Sequence, residues 1–201
     1  MSLFAVTMVN TKGAAIWFRR AATLASLFVE RIAIVGCGGS GKSRLARRLA
    51  ARLDLPVTHL DAVYYDAEWN GLPQEEFAAI QQELIAANAR WIIEGNYAAT
   101  LAVRLAAADT VILLDLPTRT CLRGVLQRRI RHRGAQQPAT GIYNRINVGF
   151  VRYIWGYRRS MLPRVQQLIT EHSDGAEIVI LRSRRAIRGF LAEHTPSERP
   201  K

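Results

Sequence analysis

The chain has 201 residues, 49% of them apolar, and carries 28 Lys and Arg against 16 Asp and Glu, a formal net charge of +12. That length suits one domain around a single core, and two cysteines, Cys37 and Cys121, exclude a disulfide scaffold or a four-cysteine zinc site. No apolar run reaches the roughly 18 residues of a membrane-spanning helix, so a soluble, cytoplasmic chain is the expectation.

The charge is uneven. Twenty-five of the 28 basic residues are Arg, a bias that a GC-rich genome alone would produce. Between Leu116 and Thr170 there is no Asp or Glu, yet there are eleven Arg, from Arg119 to Arg164. Such a stretch is either a solvated face or the seat of a polyanion, because Arg at that density repels itself without a counter-anion.

Residues 1–30 contain Lys12, Arg19, Arg20 and a modest apolar run from Ala21 to Val29, with no acid before Glu30. The run is weak for a secretory signal; an Arg-rich presequence and a start assigned too far upstream both fit. The second reading places the beginning of the domain near Val29.

From residue 31 the chain alternates short β-branched runs with helical periodicity. Strands are expected at 31–35, 57–60, 91–93, 110–114 and 177–181, each with little polar alternation, as in strands buried on both faces. Helices are expected at 42–53, with Leu45, Leu49 and Leu53 on one side, and at 73–88, opened by Pro73 with Glu75 and Glu76 in its first turn. Further helices are expected at 98–107, 118–133, 148–171 with a break at Pro163, and 184–192, while 134–147 reads as a loop. Alternation of this kind implies an open parallel α/β sheet that binds its ligand outside the carboxyl ends of the strands.

The first strand runs directly into Gly36-Cys-Gly-Gly-Ser-Gly-Lys-Ser43, a phosphate-binding loop of the form G-x-x-x-x-G-K-[ST]. Gly36, Gly38, Gly39 and Gly41 let successive backbone N–H groups turn inward, with Ser40 among them, and the following helix adds its positive end. Lys42 supplies a flexible charge to the β- and γ-phosphates and Ser43 a hydroxyl for Mg²⁺. In a chain with only three Lys, a Lys here is itself informative. Cys37, within the loop, is given no role.

Several further runs carry a resemblance: His59-Leu-Asp-Ala, Trp91-Ile-Ile-Glu-Gly-Asn-Tyr97, Thr110-Val-Ile-Leu-Leu-Asp-Leu-Pro117, Arg128-Arg129 and Leu181-Arg-Ser-Arg-Arg185. Over residues 31–192 the chain resembles the adenylate-kinase-like P-loop superfamily, and within it the topology modulation protein (FlaR-like) family. The resemblance implies a three-layer α/β P-loop NTPase fold with a five-stranded parallel sheet, helices on both faces and an Arg-rich LID at about 129–160. It implies an ATP- and Mg²⁺-dependent kinase acting on a small acceptor, a nucleoside, nucleotide or related metabolite. Glu94 would be the acid that orients water on Mg²⁺, the alternative being a solvent-facing strand end. Asp61, at the end of the second strand, would take the acceptor proton, the alternative being a loop cap. Asn96 and Tyr97 would contact substrate. Arg128 and Arg129 would enter the LID, with Arg158 and Arg159 as a returning pair. Tyr64, Tyr65 and Trp69 would stack on a ring or close over the core. Asp115, before Leu116-Pro117, would shape the strand exit.

Two departures bear on the acceptor. Glu94-Gly-Asn-Tyr-Ala-Ala-Thr100 lacks the Pro-Arg with which adenylate kinases grip AMP, and no Thr-Gly-Asp-x-Leu-Arg occurs around residues 60–66. A hydroxyl acceptor therefore fits better than AMP. The rival reading is a nucleic-acid-binding or DNA-topology protein. In it the Arg run tracks phosphates while Tyr143, Phe150, Tyr153, Trp155 and Tyr157 stack on bases.

Overall fold

The computed structural model describes residues 29–66, 68–131 and 146–193. Five strands, β1 (Arg31–Gly36), β2 (Val57–His59), β3 (Trp91–Glu94), β4 (Thr110–Leu114) and β5 (Glu177–Leu181), form one sheet in the order β2-β3-β1-β4-β5. Every pairing is parallel. Helices α1 (Lys42–Leu53), α2 (Leu60–Tyr64), α3 (Gln74–Ala87), α4 (Leu101–Ala107), α5 (Thr118–Arg131), α6 (Val148–His172) and α7 (Arg184–Glu193) make the connections. No helix among the described residues is long and apolar enough to cross a membrane.

Helices cover both sheet faces, so the central strands carry no polar alternation: Ile32 to Val35, Ile92, Ile93 and Val111 to Leu114 are all buried. Removing each such Ile, Val or Leu side chain from water stabilises the fold by about 1.5–3 kcal/mol. α1 lies along β1, β2 and β3 and meets α7, where an Arg52 guanidinium N–H donates to the Leu191 carbonyl. A row formed by α3, α4, α6 and α5 packs as a second layer.

The structure departs from the sequence expectation at three places. The second strand stops at His59, and the next residues wind into α2, so Asp61 lies in a helical first turn rather than at a strand end. Residues 98–100 form a turn before α4 instead of its first residues. α6 continues through Pro163 to His172 without a break. Pro163 is exposed, so the carbonyl that its ring deprives of a partner faces water rather than the core. The expected loop at 134–147, the centre of the LID segment, residues 1–28 and the tail from 194 lie outside the described residues, apart from Ile146 and Asn147. Asn147 caps α6 by accepting from the Phe150 N–H at 2.7 Å.

One charged residue is part of the core. Arg104 of α4 is fully buried; its guanidinium donates to Gln81 Oε1 on α3 at 2.5 Å and to the Gly95 and Asn96 carbonyls at 3.0 and 3.4 Å. Gln81 in turn donates to the Thr100 hydroxyl at 2.9 Å. Burial lowers the Arg104 pKa to about 9, against the pull of the Glu94 charge. The brace holds the loop that leaves β3, where Gly95 turns with a φ of 154°. Arg104→Ala would strand one amide and two carbonyl oxygens, and a loss of about 3 kcal/mol in denaturant unfolding is expected.

Candidate functional site

The loop at residues 36–43 is shaped by backbone that only glycine tolerates. Gly39 has a φ of 75°, and a Cβ there would lie 2.2 Å from the Cys121 carbonyl of α5. Opposite it, a Cβ on Gly124 would lie 2.1 Å from the Gly39 carbonyl. Loop and helix thus touch backbone to backbone, which needs a glycine on each side. The Phe150 ring of α6 closes over Gly38, and Arg184 of α7 donates from Nη2 to the Gly39 carbonyl at 3.2 Å. Lys42 Nζ donates to the Cys37 carbonyl at 3.2 Å, curled back on its own loop. Ser40 is buried, and its hydroxyl has no hydrogen-bond partner among the described residues. The thiols of Cys37 and Cys121 are neighbours, and the Cys121 thiol, ahead of burial, pushes the Cys37 thiol well up.

Below the loop the carboxyl ends of β2 and β3 present two acids. The sheet register sets His59 beside Glu94, and the His59 Nδ1–H donates to Glu94 Oε1 at 2.8 Å. Burial opposes ionisation of Glu94, but the His59 bond, the Lys42 charge and the Ser43 hydroxyl hold its carboxyl below the ordinary range. Asp61 behaves oppositely. Burial, reinforced by the Glu94 charge, raises its pKa against the opposing pull of Lys42 and a 2.7 Å hydrogen bond donated by the Tyr97 hydroxyl. Arg128 reaches toward the same place from α5: it feels both carboxylate charges, and its buried Nε and Nη2 have no partner among the described residues.

Asp61, Glu94 and Arg128 line one cleft of about 670 Å³, together with Gly39, Gly41, Lys42, Ser43 and six further arginines. Helical geometry explains which. On α5 the cleft residues are Thr120, Arg123, Gly124, Gln127, Arg128 and Arg131, a single face spaced by three and four. Arg129, one step on, is turned some 100° away; it is exposed and does not line the cleft.

The remaining sequence candidates lie elsewhere. Asn96 donates to the Tyr153 hydroxyl at 3.2 Å and accepts from the Tyr157 hydroxyl at 3.0 Å, so its amide ties β3 to α6. Tyr64 packs edge-on against Tyr65 and Phe77 and tilted against Tyr97, an aromatic cluster over the core, with Trp69 against Tyr65. Arg158 pairs with Asp115 at 2.8 Å, which Arg182 also approaches at 3.6 Å. Arg159 is exposed and outside the cleft. Of the aromatics interleaved with the Arg run, Phe150, Tyr153 and Tyr157 face inward, whereas Trp155 is exposed; Tyr143 lies outside the described residues.

Sequence reasoning passed over Arg44 and Arg47 on α1, Arg184 and Arg188 on α7, and Arg123 and Arg131 on α5 as cleft residues. The spacing of 184 and 188, one turn apart at the start of a helix, was a usable signal. For His59 the usable sign was its place two residues before Asp61.

No protein-family model matches the chain, and no curated protein matches it. Among solved structures it is similar to a sugar kinase from Janibacter sp. HTCC2649, with a TM-score of 0.53 at 15% identity over 82% of this chain and 91% of that one. It is similar also to shikimate kinase from Acinetobacter baumannii in complex with shikimate, with a TM-score of 0.53 at 17% identity over 86% of this chain and 94% of that one. At such identities the likeness is one of fold alone: an α/β fold with an all-parallel five-stranded sheet, shared with those two structures.

Proposed function

We propose that the chain is an ATP-dependent small-molecule kinase that moves the γ-phosphoryl group of ATP to a hydroxyl of its acceptor. The observation that carries the reading is the pair Asp61 and Glu94, two neighbouring carboxyls with pKa values pushed apart beside a phosphate-binding loop. The sugar and shikimate kinases that share the fold support a small hydroxylated acceptor, and the runs around Asp61, Glu94 and Tyr97 keep the topology modulation protein (FlaR-like) resemblance as the finer assignment.

The donor phosphates lie on the loop N–H groups, where the Ser40 hydroxyl lacks a partner and Lys42 is free to swing from Cys37 to a β- or γ-oxygen. Ser43 and the ionised Glu94 fit Mg²⁺, a hard cation that takes oxygen ligands and retains water; bound there it would neutralise phosphate charge. His59 keeps Glu94 anionic and oriented. Asp61, held by Tyr97, accepts the acceptor proton as the hydroxyl oxygen attacks phosphorus. Arg128, whose Nε and Nη2 have no partner among the described residues and which feels both acids, meets the charge on the phosphoryl oxygens in transit. Arg129, Arg158 and Arg159 have no part in this scheme, and Tyr64 and Asn96 act by holding Tyr97 and the β3 loop.

Replacing Lys42 by Ala should weaken ATP binding by about 100-fold in a calorimetric titration. Asp61→Asn should lower kcat by roughly 10²–10⁴-fold while ATP affinity stays within about threefold. Because the Asp61 carboxyl is raised above its ordinary 3.8, kcat/KM should fall with unit slope as pH drops through a value above the ordinary carboxylate range. Asp61→Asn should abolish that limb. The reading itself is tested by ADP release across a panel of nucleosides, nucleoside monophosphates and sugars; release no faster than the acceptor-free rate for every compound would overturn it.

A further inference from the structure

The cleft holds far more positive charge than its chemistry uses. Besides Lys42 and Arg128, it is lined by Arg44, Arg123, Arg131, Arg184 and Arg188, and among the described residues its acids are Asp61 and Glu94 alone. Arg44, Arg123, Arg131 and Arg188 form no ion pair with any acid among the described residues. Arg44 and Arg184 are near enough to feel one another's charge, and burial together with Arg44 lowers the Arg184 pKa. Two guanidiniums crowded over a phosphate loop without a carboxylate between them favour an anion there.

What the cleft lacks is equally informative. Among the described residues, none that lines it is aromatic, and none is Leu, Ile, Val or Met. A nucleobase entering it would meet guanidinium planes, a Thr and a Gln. Guanidinium stacking accepts any π face and so discriminates poorly between bases. Guanidinium forks match phosphate oxygens in pairs. The surplus arginines come from three separate helices, so they extend the anion surface away from Lys42 along the cleft.

We infer that this site recognises its donor by the phosphate chain and hardly at all by the base, so that linear inorganic polyphosphate occupies the cleft in competition with any nucleoside triphosphate. The inference rests on the donor-site reading above and deepens it. The base adds little affinity, and a chain longer than three phosphates gains contacts by running from the loop to Arg44 and Arg188.

The test is a set of binding titrations on the full chain with ATP, GTP, CTP, UTP, inorganic tripolyphosphate and a polyphosphate of about 15 units. The four nucleotides should agree within about threefold, tripolyphosphate should match ATP within about fivefold, and the longer chain should bind at least tenfold tighter. Arg44→Gln combined with Arg188→Gln should erase most of that chain-length gain, and Lys42→Ala should weaken all six ligands together. ATP binding more than about 30-fold tighter than the other nucleotides and tripolyphosphate overturns the inference and leaves the kinase reading standing. Polyphosphate binding that survives Lys42→Ala undiminished overturns it also, since the anion would then sit on the outer surface. Tight binding of a short DNA duplex that displaces polyphosphate equally well would assign the arginines to nucleic acid instead. Failure of all six ligands, ATP included, would overturn both readings.

Discussion

Two carboxyl groups, Asp61 and Glu94, share the carboxyl edge of the sheet, and like charges that feel one another cannot both ionise freely in a desolvated site. The surrounding residues divide the burden unequally. Glu94 receives a histidine hydrogen bond, a serine hydroxyl and the loop lysine, and stays ionised. Asp61 has the Tyr97 hydroxyl and the same lysine, which do not offset its burial and the Glu94 charge, and its proton affinity rises. An anion that stays fixed and a base that can take up a proton are what phosphoryl transfer to a hydroxyl requires. The difference depends on the sheet register that sets His59 against Glu94, and on the short turn of α2 that carries Asp61 past the strand end.

The phosphate loop is held by the same logic of close approach. Gly39 and Gly124 meet with their backbones in contact, so α5 cannot slide without displacing the loop, and Arg128 one turn further along the same helix is aimed by that contact. α6 adds a second constraint from its other side, through Phe150 on Gly38 and through Tyr153 and Tyr157 on Asn96. Loop and β3 turn are therefore coupled through α6, which itself lies largely within the Arg-rich stretch. Arg104 completes the support from beneath by binding the carbonyls of Gly95 and Asn96, at a desolvation cost visible in its lowered pKa.

Much of this was legible in the sequence, because it depends on local rules. Strands buried on both faces read as apolar runs, and all five fell within a residue or so of their observed places. The glycine loop names its own chemistry. What was not legible depends on partners distant along the chain. α2 is a single short turn where the sequence predicts the end of a strand and a loop; the packing of Leu60 and the Tyr97–Asp61 bond account for it. Asn96 was expected at a substrate and is consumed by two tyrosines some 60 residues later. Arg104 sat in an apolar helix as one anomalous charge; its meaning required Gln81, on another helix. Arg129 was paired with Arg128 by adjacency, whereas helical rotation puts Arg131 and not Arg129 on the cleft.

The net charge shows the same distinction between sequence and space. Along the chain, the positive charge looks concentrated between Leu116 and Thr170, as if one segment carried the whole anion site. Among the described residues only Arg123, Arg128 and Arg131 of that stretch reach the cleft, while Arg44, Arg47, Arg184 and Arg188 arrive from α1 and α7. Arg158 spends its charge on Asp115, at the exit of β4. Linear density thus measures neither the strength nor the place of the field. Residues as far apart as Arg44 and Arg188 build it, because a parallel sheet brings the starts of α1, α5 and α7 to one edge, and that edge is where the first strand delivers its phosphate loop. A helix start already favours an anion through its free N–H groups. Arginines along those helices extend that preference outward, and the cleft they line is charged along its length rather than only at the lysine.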